Sequence, residues 1–189
     1  MTRAWVAPGA MLGVMGGGQL ARMWSHAAQQ LGYRTAVLDP DPQSPAGLIS
    51  HVHIATDYMD AQGLTQLATL CQAITTEFEN VPAQALARLQ TDTLVTPGPD
   101  AVRVAQDRAL EKAHFVRCGV PVAPHVVIEN TQALTSVPGH WLPGILKTTR
   151  LGYDGKGQVR VRTPDELAAA FAALQTGDKP VVCILEQQL

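Results

Sequence analysis

The feature that most constrains this chain is the junction between Leu12–Met15 and Gln19–Leu31. The first is a short apolar run, and the second carries Leu20, Met23, Ala27 and Leu31 at helical spacing on one face. Three consecutive glycines, Gly16, Gly17 and Gly18, join them. A strand that turns tightly on glycine into a helix opens a βαβ unit, and a right-handed crossover then returns the chain to a parallel neighbour. The first half keeps that rhythm. Thr35–Leu38 reads as a second strand, closed by Asp39-Pro40-Asp41-Pro42, and Ile49–Ala55 as a third. Helix Asp60–Cys71 has Leu64, Leu67, Ala68 and Cys71 in phase, and strand Ala73–Phe78, helix Pro82–Leu89 and strand Thr93–Thr96 follow. The fold class expected is α/β with a mostly parallel sheet.

At Thr96-Pro97-Gly98-Pro99 the rhythm stops, which suggests one domain over residues 1–98 and a second over 99–189. Asp100–Cys118 reads as one long helix, ended by Gly119-Val120-Pro121-Val122-Ala123-Pro124. An extended stretch Val126–Glu129, a short helical piece and strand Gly144–Thr148 come next. The glycine-rich turn Gly152–Gly157 leads into strand Gln158–Arg162. Helix Asp165–Leu174 begins with a capping box, Thr163 as N-cap and Glu166 three residues on, with Pro164 at the first position. An apolar strand Val181–Leu185 precedes Glu186-Gln187-Gln188-Leu189.

Charge narrows the functional classes. With 14 Lys+Arg against 16 Asp+Glu the net charge is −2, and no basic block occurs, so neither nucleic acid nor an anionic membrane is the expected partner. No run approaches 18 apolar residues, and the N-terminus lacks the apolar segment of a secretory signal. Cys71, Cys118 and Cys183 are odd in number and far apart, as befits reduced thiols in a cytoplasmic protein.

Two motifs could carry chemistry. In the first, Gly16, Gly18 and Ala21 satisfy G-x-G-x-x-G/A between a strand and a helix, with Asp39 21 residues beyond Gly18 at a strand end. Glycines allow close backbone approach, a helix N-terminus attracts phosphate and a carboxylate suits a ribose. A ligand-free strand-to-helix turn is the alternative. The second is Gly152-Tyr153-Asp154-Gly155-Lys156-Gly157-Gln158, whose glycines and Lys156 could fold over an anion, or form a plain surface hairpin. Lys147, inside an apolar strand, either snorkels outward or points into a site. Glu186 is an acceptor at a strand edge or a solvated end residue. Glu77 and Glu79, read on one face at the end of the fourth strand, could bind a ligand hydroxyl or only water. His51 and His53 share a strand face, but no third residue at fitting spacing suggests a metal site. Glu111 and Lys112 read as part of a solvated helix face.

Taken in order, Gly16–Leu20, Val37-Leu38-Asp39-Pro40, Thr76-Glu77-Phe78-Glu79-Asn80-Val81, Gln106-Asp107-Arg108 with Glu111-Lys112, Leu146-Lys147-Thr148 and Gly152–Gln158 resemble one ATP-grasp family, the N5-carboxyaminoimidazole ribonucleotide synthetases. The resemblance runs from about Leu12 to the last residue. One departure is Leu151, where many members have glycine. The resemblance implies a Rossmann-like pre-ATP-grasp domain followed by the first part of an α+β ATP-grasp domain. It implies that Gly16, Gly17, Gly18, Gln19 and Leu20 hold the substrate's phosphate, and that Asp39, Glu77, Glu79 and Tyr153 face aminoimidazole ribonucleotide. It gives Arg108, Lys147 and the loop Gly152, Tyr153, Asp154, Gly155, Lys156, Gly157 and Gln158 to ATP. Glu186, Gln187, Gln188 and Leu189 would form the hinge for adenine and ribose, and Asp154 would act on the reacting amine.

The reaction implied is ATP-dependent carboxylation of the ribonucleotide with bicarbonate, in a homodimer, with Mg²⁺ held by residues beyond 189. On that basis the 189-residue chain is expected to lack ribonucleotide-dependent ATPase activity by itself. Two other classes stay open on the residues alone: an NAD(P)-dependent oxidoreductase, which leaves Gly152–Lys156 idle, and a non-catalytic nucleotide-binding module.

Overall fold

Strands β1 (Met11–Met15), β2 (Arg34–Leu38), β3 (Val52–Ile54), β4 (Ala73–Thr76) and β5 (Leu94–Val95) pair in parallel, in the order β3-β2-β1-β4-β5. They belong to the first of two units, Met1–Arg103 and Val104–Leu189, in a computed structural model that describes residues 5–152, 156–177 and 179–188. The apolar runs of β1 and β2 are buried on both faces, as central parallel strands require. On one face Met15, Leu38 and Ile74 pack with Leu64 and Leu67 of α2 (Ala61–Leu70) and Leu86 and Leu89 of α3 (Ala83–Leu89). On the other, Val14 and Val37 meet Ala21 of α1 (Gln19–Gln30) and Ala46.

Helix α1 forms where the spacing predicts it but turns its other face inward. Its buried residues are Ala21, Ser25 and Ala28, while Leu20, Met23 and Leu31 are 60–68% exposed. The fully buried residues of α1 are small, and Trp24 packs half-buried against the cluster they form with Val14 and Val37. Hydrophobic periodicity locates a helix but does not say which face lies close to its neighbour.

The strand order reverses between β1 and β4. The chain leaves β1 for β2 and β3 on one side and later lays β4 and β5 on the other. The carboxyl ends of β1 and β4 therefore flank a crevice, the place where open α/β sheets bind ligands.

The expected helix Asp100–Cys118 is two helices, α4 (Pro99–Ala105) and α5 (Arg108–Arg117). Asp107 divides them, because its carboxylate accepts hydrogen bonds from the Ala109 and Leu110 amides at 3.0 and 3.3 Å and so caps α5. The second unit continues with β6 (His125–Ile128), α6 (Thr131–Leu134), β7 (Gly144–Thr148), β8 (Gln158–Val161), α7 (Pro164–Leu174) and β9 (Cys183–Gln187). The strands form an antiparallel sheet, β6-β9-β7-β8. Thr163 caps α7 by accepting from the Glu166 amide, whereas the Glu166 carboxylate accepts from Arg162, one residue before the cap. Strand β9 starts two residues later than its apolar run suggests. Gln175 bonds both the amide and the carbonyl of Val181 and holds that residue out of the ladder.

One face of this sheet is core: Ile128, Leu146, Val161, Cys183 and Leu185 pack against Leu167, Ala170 and Phe171 of α7. Alternation puts the intervening residues on the opposite face. Register aligns His125, Glu186, Ile145 and Arg160 across the four strands there, with Ile184, Lys147 and Gln158 in the next row. Among the described residues no helix is long and apolar enough to cross a membrane.

Candidate functional site

In the first unit the glycine turn and the end of β4 meet at the crevice. The Glu77 amide donates to the Met15 carbonyl at 2.9 Å, which fixes the residue just past β4 beside the end of β1. Its carboxylate then accepts from the Gly18 amide at 2.6 Å and the Leu20 amide at 3.1 Å, across the N-terminus of α1. Gly16 has φ +95°, and a Cβ at Gly16 or Gly18 would lie 2.9 or 2.5 Å from a Glu77 oxygen, so the turn requires glycine. A negative charge belongs at a helix N-terminus, and here the protein supplies its own. Any phosphate at this turn competes with Glu77.

Asp39 is 9% exposed and fully engaged. One oxygen accepts from the Gly17 amide and the Tyr58 hydroxyl, both at 2.7 Å, and the other from the Asp41 amide at 2.9 Å. Burial, with the hydrogen bond to Asp39 and its charge, pushes the Tyr58 phenol well above its ordinary value of 10. A dinucleotide would need the Asp39 carboxylate for its ribose and the α1 amides for its pyrophosphate, and protein groups occupy both. Glu77 and Glu79 are parted, because β4 ends at Thr76. Glu79 is exposed and accepts from the Asn80 side chain at 3.0 Å. Gln19 and Leu20 are exposed as well.

In the second unit the strand lysine does not snorkel away. Lys147 donates to one oxygen of Glu186 at 2.9 Å, and Lys112 of α5 approaches the other at 3.4 Å. All three side chains are 13–19% exposed. Burial alone would raise the Glu186 carboxyl, but the hydrogen bond and charge of Lys147, then the charge of Lys112, bring it below its ordinary 4.5. Two ammonium groups around one carboxylate leave a net positive charge on this sheet face.

Arg108 holds the foot of the glycine loop. Its guanidinium donates to the Gly152 carbonyl at 2.7 Å and its amide to Thr149 at 2.9 Å. The other end closes through the Thr148 amide, which donates to the Gly157 carbonyl at 2.8 Å. Arg150 ties β7 to the α5 cap through Asp107 at 3.0 Å. Lys156 and Gln158 are exposed, and Gln158 pairs with Lys147 in the ladder. The Gln187 and Gln188 backbone amides donate hydrogen bonds to the Pro124 and Pro143 carbonyls at 2.9 and 3.1 Å. Tyr153, Asp154, Gly155 and Leu189 lie outside the described residues. A cavity of about 900 Å³ opens beside the loop, lined by Asp107, Leu110, Thr148, Arg150, Gly157 and Val182 among others. Neither Lys147 nor Glu186 lines it; that pair lies on the sheet face opposite the α7 core.

Tyr58 belongs to no motif in the sequence, and Lys112 and Thr148 enter the functional reading only through the segments that carry the resemblance. Lys112 stands four residues after Arg108, a spacing that places both on one face of α5. His51 accepts from the Thr35 amide at 3.1 Å and His53 lies 3.4 Å from the Ser44 hydroxyl, so each has a local partner. Among the described residues no three His, Cys, Asp or Glu converge as metal ligands.

A five-stranded parallel sheet with a glycine turn at its switch point, and an antiparallel sheet carrying a lysine–carboxylate pair beside a glycine loop, define a protein of the preATP-grasp and ATP-grasp class. Residues 10–106 match the ribonucleotide synthetase preATP-grasp domain family and 113–189 the ATP-grasp domain family. The chain belongs to the ribonucleotide synthetase preATP-grasp family. It is 41% identical over 177 residues to N5-carboxyaminoimidazole ribonucleotide synthase of Brucella melitensis biotype 1, which covers 92% of this chain and 49% of that protein. The crystal structure of an ADP complex of N5-carboxyaminoimidazole ribonucleotide synthetase superposes with a TM-score of 0.90 at 35% identity, covering 100% of this chain and 49% of that one. The Aspergillus clavatus synthase with ADP and 5-aminoimidazole ribonucleotide gives 0.78 at 31%, covering 95% and 46%. The chain spans about half the length of each of these relatives.

Proposed function

We propose that the chain serves the ATP-dependent carboxylation of 5-aminoimidazole ribonucleotide by bicarbonate. The observation that carries this reading is the Lys147–Glu186–Lys112 cluster on the sheet face beside the glycine loop, in a chain similar throughout to an ADP complex. Lys147 and Arg108 would bind the ATP phosphates, Gly152–Gln158 would close over them, and Glu186 to Leu189 would receive adenine and ribose. The first unit would seat the ribonucleotide at the switch point, with Gly16–Leu20, Asp39, Glu77 and Glu79 around it. Asp154, with Tyr153, would orient the amine or take its proton.

Bicarbonate attack on the γ-phosphate would displace ADP and give carboxyphosphate, which would break down to phosphate and CO₂; the amine would capture the CO₂ and give up a proton. Phosphoryl transfer depends on positioning and charge neutralisation, and a closing loop keeps water from the labile intermediate. Magnesium belongs to this reading, although the described residues offer it no site. A cytoplasmic home and a homodimer belong to this reading too, the first in keeping with the free Cys71, Cys118 and Cys183. The test is an amide NMR titration with 5-aminoimidazole ribonucleotide. The Gly16–Leu20 and Glu77 signals should move; shifts absent there would overturn the assignment of the crevice.

A further inference from the structure

We infer that Lys112 is a positioning residue that lets Lys147 leave Glu186 for a polyphosphate. The inference rests on the ATP reading above and deepens it by giving a role to Lys112, which that reading names only as part of the charged cluster. In the described structure Lys147 is committed: its ammonium donates to Glu186 at 2.9 Å, and the two side chains are 19% and 13% exposed. To bind phosphate oxygens it must turn from that carboxylate. A mostly buried carboxylate stripped of its partner is strongly unfavourable, so the exchange would be resisted if Glu186 had no other cation. Lys112 supplies one. It comes from a different element, α5, and approaches the opposite oxygen at 3.4 Å with 13% of its side chain exposed. The two contacts do not compete for one oxygen, so Lys112 stays on Glu186 while Lys147 moves.

Charge counting supports the same division of labour. One lysine and one glutamate are neutral together and attract a polyanion weakly, whereas two lysines and one glutamate carry a net +1. The Lys112 anchor is itself set by sequence. Asp107 starts α5 at Arg108, so Arg108, whose side chain holds the loop carbonyl of Gly152, and Lys112 fall one turn apart on one helix. The foot of the loop and the counter-charge of Glu186 are thereby placed by the same short helix.

The experiment is a double-mutant cycle read by calorimetric ATP binding to the whole chain. Lys112→Met should weaken ATP about tenfold, and Lys112→Arg should stay within about threefold of the parent. In a Glu186→Gln background, where no carboxylate needs compensation, Lys112→Met should change affinity by less than about twofold. Lys112→Gln replaces the Met variant if circular dichroism shows that one unfolded. An equal loss in both backgrounds would mean that Lys112 touches the nucleotide directly and would overturn the inference. So would ATP affinity indifferent to Lys112 in the Glu186 background. If the unsubstituted chain bound no ATP, the nucleotide reading itself would fall, and this inference with it.

Discussion

Replacing Asp39 with alanine tests how the glycine turn is held. The Asp39 carboxylate satisfies three donors: the amide of the buried Gly17, the hydroxyl of the half-buried Tyr58 and the amide of the exposed Asp41. An unsatisfied buried donor costs about 1–3 kcal/mol. With about 2 for Gly17, about 1 for Tyr58, which can rotate towards water, and about 0.5 for the rehydrated Asp41 amide, the loss is about 3–4 kcal/mol. At a urea dependence of about 1–1.5 kcal/mol/M, the unfolding midpoint should fall by about 2–4 M. Asp39→Asn keeps the volume and one acceptor oxygen, and should lose about half as much. Circular dichroism in urea reads both. A second readout is the phenolate absorbance that Tyr58→Phe removes. In the parent it should appear well above pH 10, and in Asp39→Ala closer to 10, because the hydrogen bond and charge that raise it are gone. The sign follows: a phenol raised by folding contributes stability that is complete below pH 10 and lost as pH rises beyond it. An Asp39→Ala variant within about 0.5 kcal/mol of the parent, a shift well below that calculated, would refute the reasoning.

The other expectations concern the cysteines and the loop. Cys118 is exposed, whereas burial pushes the Cys71 thiol up to about 12 and Cys183 to about 11, so a thiol reagent at neutral pH should label one cysteine quickly and the other two only on unfolding. Prompt labelling of two or three in the folded chain would contradict the packing. Leu151 has φ 58°, the left-handed region, which costs a side-chain-bearing residue about 1–2 kcal/mol, offset by about 0.5–1 for the extra freedom glycine gains when unfolded. Leu151→Gly should therefore stabilise the chain slightly, and a clear fall in the urea midpoint would show that Leu151 makes contacts worth more than its strain.

The parts of the fold set by local signals were legible. The glycine turn, strands β1 and β2 and the Thr163 cap each depend on a few neighbouring residues, and each is where the sequence puts it. The expected strand Ile49–Ala55, by contrast, begins only at Val52, because Gly47–Ile49 forms a 3₁₀ turn. Misreadings came where a distant or specific partner decides. Asp107 caps a helix in what reads as uninterrupted helical sequence. The sheet selects the alanine face of α1 over its leucine face. Gln175 draws Val181 out of β9 from six residues away. At the site, glycine spacing pointed to an anion but could not show that the anion is Glu77, 59 residues along the chain. Lys112 looked like any lysine on a solvated helix, because its burial comes from contact with a strand some 70 residues later.

The most direct measurement is calorimetric titration of the chain with ATP and, separately, with NADH, repeated on Lys147→Ala. Charge-assisted contacts contribute about 1.5–3 kcal/mol, so the account predicts that ATP binds the parent and is weakened about ten- to a hundredfold by the substitution. NADH should show no saturable binding, since the Asp39 carboxylate that its ribose would need is held by the Gly17 amide, the Tyr58 hydroxyl and the Asp41 amide. ATP affinity unchanged by Lys147→Ala, or NADH bound in preference to ATP, would contradict the assignment of the second sheet as the nucleotide site.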